Sequence, residues 1–233
     1  RYSEGYGLNS EAIEQFRIEG VSLVITVDCG ITDVEEVARA QEAGIDVIIT
    51  DHHLPLTNPT TGEQVIPAAY AVINNKRRDD QYPFKELCGA GTAFKLAQAT
   101  LVRLRALVEN GESSVPVPQE GWEKWLLDMA GLATIADMVP LRGENRTIAH
   151  FGLAVLRKSR RPGLQALLGR ARVSQRSLTE DDVGFMIAPR INAASRMGEP
   201  SEALRLLSTS DELEGSALAG ELHTLNERRK GLV

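Results

Sequence analysis

Ile45-Asp46-Val47-Ile48-Ile49-Thr50 runs straight into Asp51-His52-His53, and Val21-Ser22-Leu23-Val24-Ile25-Thr26-Val27 ends the same way at Asp28-Cys29-Gly30. Both runs are short, β-branched and nearly all apolar, as expected of strands covered on both faces in a parallel sheet. From Val21 to Thr50 is about the thirty residues that a strand–helix–strand unit needs. Between the runs, Thr32 or Asp33 caps a helix that sets Val34, Val37, Ala38 and Gln41 at helical spacing and stops at Gly44. Open α/β sheets bind ligands outside the carboxyl ends of their strands, so both acids fall where such a fold does its chemistry.

Working outward, residues 10–19 carry a helical pattern with an N-cap at the start, and Gly20 stops it. Residues 1–9 are glycine-rich and polar, a loop. Residues 54–67 hold three prolines, a glycine and several threonines and are predicted as loop; 68–74 is a third strand. Gly89-Ala90-Gly91-Thr92 opens a long helix through about Glu109, and 110–120 is a Gly/Ser/Pro-rich linker. Residues 122–138 are helical until Pro140 breaks the pattern. Beyond Asn145 the chain reads as helix, with segments around 150–159, 163–168 and 201–207 and one long polar helix over 211–230. The fold class is therefore α/β, a parallel sheet flanked by helices, followed by a mostly helical second half. The predicted division is an α/β metal-binding part over 1–142, a helical part of the same domain over 143–209, and a terminal helix over 210–233.

The chain has 233 residues, 42% apolar and 25% charged, an ordinary globular composition. No apolar stretch approaches the roughly 18 residues of a membrane span, so no membrane partner is expected. Two cysteines are too few for a disulfide framework, which points to a reducing, cytoplasmic setting. With 26 basic against 32 acidic residues the net charge is −6, the wrong sign for bulk electrostatic binding of nucleic acid. Any nucleic-acid function must then rest on local basic clusters and on metals that meet the phosphates. The chain begins at Arg1 rather than Met and stops just after a helical stretch, as a segment of a longer protein would.

A pair of divalent metals about 4 Å apart activates water and neutralises a transferring phosphoryl group. Such a site needs carboxylates and imidazoles converging from different elements, and Asp28 with Asp51-His52-His53 supplies them from adjacent strand ends. Oxygen-rich ligation with one or two imidazoles suits manganese or magnesium better than zinc. A lone strand-end acid is more often a turn or capping residue; the two ends together favour the functional reading. Asp137, just before Pro140 at a helix C-terminus, needs a nearby cation: either a metal or an arginine such as Arg142. Residues 189–198, with Arg190, Asn192 and Arg196 among small residues, fit a tight loop approaching an anion. A helix start salt-bridged to Glu199 or Glu202 is the other reading, and composition alone slightly favours it. Gly89 and Gly91 suit a phosphate at a helix start or close helix packing. Cys29 is read as a buried small residue, His150 and His223 as structural, and the basic run over 157–161 as solvated surface.

Taken together, Glu4-Gly-Tyr-Gly-Leu8, Val27-Asp-Cys-Gly-Ile31, Thr50-Asp-His-His-Leu-Pro55, Gly89-Ala-Gly91, Ala133-Thr-Ile-Ala-Asp-Met-Val-Pro-Leu141, Arg161-Pro-Gly-Leu164 and Pro189-Arg-Ile-Asn-Ala-Ala-Ser-Arg-Met197 resemble the DHH phosphoesterase superfamily. Within it they are similar to the single-strand-specific 5′→3′ DNA exonucleases of repair and recombination. The resemblance implies a two-metal site for Mn2+ or Mg2+, with Asp28, His52 and Asp137 as ligands. It gives catalytic roles to Asp51, orienting the cluster, and to His53, near the scissile phosphate. Arg190, Asn192 and Arg196, with Gly89 and Gly91, would meet the substrate. Single-stranded DNA is the implied substrate, with repair proteins such as a single-strand-binding protein or a helicase as partners. Ser195 stands where the family tends to have glycine. The family's first motif, an Asp-x-Asp pair, has no counterpart, and Asp79-Asp80 and Asp181-Asp182 do not replace it. The family's C-terminal domain is also missing, 210–233 being the start of the helix that leads to it. This segment alone is therefore expected to bind metal weakly and turn over little. Two alternatives remain: a family member acting on short oligonucleotides or cyclic dinucleotides, and a non-catalytic single-strand-binding member.

Overall fold

The computed structural model describes residues 5–197 and 199–231. The loop expected at residues 1–4, including Glu4 of the first family segment, lies outside the described residues, as do Gly198 and the terminal Leu232 and Val233. The chain divides into two compact units. One takes the described residues up to Leu126 together with Val139–Asn145, and the other takes Leu127–Met138 and the described residues from Arg146 on. The division thus differs from the boundary predicted at 142, because the helix around residue 130 groups with the later helices.

The first unit is the α/β one. Asn9, one residue before the expected start, caps α1 (Ser10–Ile18) by accepting the Ala12 N–H at 2.8 Å. β1 (Leu23–Val27), α2 (Val34–Glu42) and β2 (Asp46–Asp51) form the expected strand–helix–strand unit. Asp33 sits at the N-cap of α2 without a side-chain cap bond; its carboxylate instead takes the Leu8 N–H at 2.7 Å. Inside the stretch predicted as loop, β3 (Leu56–Thr57) pairs antiparallel with β4 (Gln64–Val65). β5 (Ala71–Asn74) completes a parallel sheet of order β1-β2-β5.

Ile13, Val37 and Ala40 from α1 and α2 bury Val47 and Ile49 of β2 in one core. α3 (Gly89–Glu109) packs against β1 and β2 and has the predicted bounds. Covering on both faces holds for β2 but fails for β1. β1 is one of the two edge strands, and its Leu23, Ile25 and Val27 are 47%, 50% and 52% exposed. An apolar run shows that a residue tolerates burial, and the neighbours decide whether it happens.

The second unit is helical: α4 (Leu127–Ala136), the part of α5 (Gly143–Leu156) from Arg146 on, α6 (Pro162–Ala171), α7 (Ala188–Met197), α8 (Pro200–Ser208) and α9 (Glu212–Lys230). Leu156, Leu164, Leu167, Ile187, Leu206 and Leu222 form its fully buried centre. Asp211 caps α9 through the Leu213 and Glu214 N–H groups at 2.7 and 3.0 Å. α4 and α5 cross at two glycines: a Cβ on Gly152 would lie 2.6 Å from Gly131 Cα and 2.7 Å from the Leu127 oxygen. The basic run is largely fastened down. Arg157 donates to the Leu178 carbonyl at 2.9 and 2.6 Å, and Arg161 reaches Asp128 at 2.7 Å and the Leu207 carbonyl at 3.1 Å. Lys158 and Arg160 are exposed, so the run is part fastening and part solvated surface. No helix among the described residues is long and apolar enough to cross a membrane.

Candidate metal centre

The parallel register sets Val27 beside Thr50 and Asp51 beside Asn74, so three strand ends finish together. Asp28 follows β1, Asp51 closes β2 with His52 and His53 beyond it, and Asn74 closes β5. Asp28, His52 and His53 each offer one ligand atom within 4.8 Å of the others. No other group of three such residues occurs among the described residues.

Asp28 has a φ of +64°, a left-handed backbone that costs a non-glycine residue about 1–2 kcal/mol. Its N–H donates to the Thr50 carbonyl at 2.9 Å, and the Tyr6 hydroxyl donates to its carbonyl. The side chain rests on the start of α3: a Cβ on Gly89 would lie 2.5 Å from both Asp28 Cβ and Cγ. Asp28 Oδ1 is buried without a hydrogen bond, and His52 Nε2 stands 3.0 Å from it. A buried carboxylate oxygen left this way is costly unless something positive shares it. Adjacent ligands of an octahedral ion, each at about 2.1 Å, are about 3 Å apart, so the pair fits a divalent cation.

Asp51 is 1% exposed and works as a hub. Its Oδ1 accepts the backbone N–H groups of His52 at 2.7 Å and His53 at 3.2 Å and faces His53 Nδ1 at 2.7 Å; Oδ2 accepts the Ile31 N–H at 3.1 Å. That contact makes Nδ1 the protonated nitrogen of His53 and leaves Nε2 as the acceptor. The catalytic role expected for Asp51 is thus one of positioning, since its carboxylate is occupied and shut off from solvent. Asn74, fully buried, donates to the His53 carbonyl at 2.9 Å and accepts the Lys76 N–H at 2.7 Å. Sequence reasoning missed it, although a polar residue closing the third strand is the same signal that singled out Asp28 and Asp51. The β1 turn is braced by Thr26 Oγ1, which donates to the Cys29 carbonyl at 2.8 Å, and by Gly30, whose φ of +107° leaves no room for a Cβ beside Thr26.

Cys29 is half-buried rather than buried. Burial first, then the carboxylates of Asp33, Asp51 and Asp28, push its thiol up to about 11. The grouped donors are one carboxylate and two imidazoles, those of Asp28, His52 and His53. Tyr6, given no role from sequence, lies edge-on to His53 with ring centres 5.8 Å apart. Gly89 and Gly91 are both buried, and the Gly91 N–H is used on Cys88 Sγ at 3.3 Å. At Gly89 the geometry is that of close packing under Asp28.

The remaining predicted residues lie in the helical unit. Asp137 is exposed just past α4, its N–H closing on the Ala133 carbonyl at 2.8 Å. Arg142, the alternative cation for it, forms a forked pair with Glu86 at 2.8 and 2.5 Å. The arginine-bearing segment is helix α7, not a loop, and Ser195 sits in it with its hydroxyl on the Asn192 carbonyl at 3.0 Å. Asn192 and Arg196 share the exposed face of α7, four residues apart. Arg190 points the other way and is 4% exposed. Its guanidinium donates to the Met186 carbonyl at 2.5 Å and to His223 Nδ1 at 3.2 Å, tying α7 to α9 instead of facing a substrate.

The chain is 42% identical over 233 residues to the single-stranded-DNA-specific exonuclease RecJ of Bacillus subtilis, covering all of the chain and 26% of that protein. It is 39% identical over 231 residues to RecJ of Escherichia coli, covering 99% of the chain and 38% of that protein. The chain thus spans roughly a quarter to two fifths of these relatives. A crystal structure of exonuclease RecJ bound to manganese matches with a TM-score of 0.79 at 39% identity, over all of the chain and 53% of that one. The sequence model described as DHH family, N-terminal domain, fits residues 4–130. A match over more than half of the chain places the protein in the DHH family.

Proposed function

We propose that this chain forms the metal-binding part of an exonuclease that hydrolyses phosphodiester bonds of single-stranded DNA in the 5′→3′ direction. The observation that carries the reading is the convergence of Asp28, His52 and His53 at the joint end of three parallel strands, with Asp28 Oδ1 buried 3.0 Å from His52 Nε2. The relatives named for single-stranded DNA and the likeness to a manganese-bound structure support the substrate and the ion.

Asp28 and His52 would hold the metal, Mn2+ or Mg2+. When bound, such ions supply an activated water and offset charge on the transferring phosphoryl group. Asp51 fixes the His53 ring so that Nε2 faces out, where it can accept or share a proton close to the phosphate. Asn74 holds the His53 backbone in register with it. Asn192 and Arg196 keep, within this proposal, the role that the family likeness gives them, contacts to the DNA strand.

The test is Mn2+ calorimetry together with digestion of 5′-labelled single-stranded DNA by the intact protein. Asp28→Asn and His52→Ala should each weaken Mn2+ binding and cleavage by about a hundredfold or more, since even groups behind a ligand are worth 10–100-fold. Unchanged cleavage in both variants refutes the site. Faster turnover of a dinucleotide than of a long strand moves the reading to a small-substrate phosphodiesterase of the same family.

A further inference from the structure

Left-handed backbone at a non-glycine residue persists only where its surroundings over-determine it. Asp28 is such a residue, at the point where the proposed ligand must face His52. Its N–H is fixed by Thr50, which belongs to the sheet itself. Its carbonyl has a different partner, the hydroxyl of Tyr6.

Tyr6 is held by a short, shaped segment. Gly5 and Gly7 on either side have φ values of +83° and +93°, so the chain doubles back at the ring. Gly7 lies directly on the Asp33 carboxylate, where a Cβ would come within 2.7 Å of Oδ1, and the next N–H, that of Leu8, donates to Asp33 Oδ2 at 2.7 Å. Asp33 is therefore the anchor of the segment and Tyr6 its tip. Apolar burial does not account for the placement, because Tyr6 is 51% exposed. What the tip touches is the proposed centre: the Asp28 carbonyl by its hydroxyl and the His53 ring by its edge, at 76° between planes.

We propose that Tyr6 is a positioning residue for the metal ligand Asp28, its hydroxyl latching the left-handed peptide that turns the carboxylate toward His52. The inference rests on the metal-centre reading above and adds to it a residue that acts through the backbone of Asp28. Without the hydroxyl, the peptide after Asp28 can rotate toward an ordinary conformation, and the carboxylate leaves the ligand position for part of the time. The ring can stay against His53 in the absence of the hydroxyl, so Tyr6→Phe separates the latch from any contact made by the aromatic face.

The experiment is Mn2+ binding to the intact protein, read by calorimetry for the parent, Tyr6→Phe and Asp28→Asn, with thermal unfolding of each in the absence of metal. Tyr6→Phe should bind Mn2+ about two- to tenfold more weakly, the span that one hydrogen bond of ordinary net strength produces, while its midpoint in the absence of metal stays within about 2 °C of the parent. Mn2+ affinity equal to the parent in Tyr6→Phe, with binding lost in Asp28→Asn, overturns the latch and leaves the metal centre standing. Full binding by Asp28→Asn overturns the metal centre and the latch with it.

Discussion

Replacing Gly89 with alanine adds one methyl group at the place where α3 meets the proposed ligand. The new Cβ would lie 2.5 Å from Asp28 Cβ and Cγ, far inside contact distance, and neither side can step back easily. Gly89 is buried at a helix start, and Asp28 is tied by its own backbone bonds to Thr50 and Tyr6. Forcing a methyl into a packed position costs about 1–3 kcal/mol. Alanine's better helix propensity returns up to about 1 kcal/mol, so a net loss of about 1–2 kcal/mol is expected. The larger effect is on the site: Asp28 must yield, and Mn2+ binding should fall by about ten- to a hundredfold. Gly91→Ala is the matched control, because its Cβ would meet its nearest neighbours at 3.4–3.6 Å, ordinary contact. Urea unfolding and Mn2+ calorimetry on the two variants measure both effects. A Gly89→Ala protein as stable and as tight for Mn2+ as Gly91→Ala would refute the packing argument.

Two further outcomes follow from geometry elsewhere. Gly152→Ala should destabilise the helical unit by about 2–3 kcal/mol in chemical unfolding, since its Cβ would face the backbone of α4 at 2.6–2.7 Å; a loss under about 0.5 kcal/mol would show that the helices can part without cost. At Glu144, burial alone would raise the carboxyl, but hydrogen bonds from Lys95 and Tyr82 outweigh it and hold the group below its ordinary 4.5. A depressed carboxyl adds stability above the unfolded value and loses it as pH falls through the folded one. The Lys95–Glu144 pair, at 2.6 Å and about one-third exposed, should contribute about 0.5–1 kcal/mol at pH 7. The stability difference between the parent and Lys95→Met should therefore shrink as pH falls below 4.5, and a difference that does not change with pH argues against the pairing.

The α/β half was legible because strand ends that finish in acids are hard to explain by packing alone, and the spacing from Val21 to Thr50 leaves room for one helix and no more. Asp28, His52 and His53 came together for that reason. The exposed face of β1 was not legible, because Leu23, Ile25 and Val27 have the same composition whether a neighbour covers them or not. The β3–β4 ladder was missed because two-residue strands hold no alternation to detect. At α7 the small residues suit a tight loop and a helix alike: Ala193 and Ala194 are good helix formers, and both are buried against their unit. Arg190 was placed with its neighbours on charge alone, whereas helical geometry turns it about 160° from Asn192 and about 120° from Arg196.

Asp51 carries a lesson for how activity data on this protein should be read. One shielded carboxylate gathers the amides of Ile31, His52 and His53 and one imidazole, so it knits two strand-end turns into a single scaffold. An alanine scan will rank it among the most damaging positions, beside the proposed metal ligands. The ranking will reflect architecture, because removing the carboxylate unties both turns before any bond is made or broken.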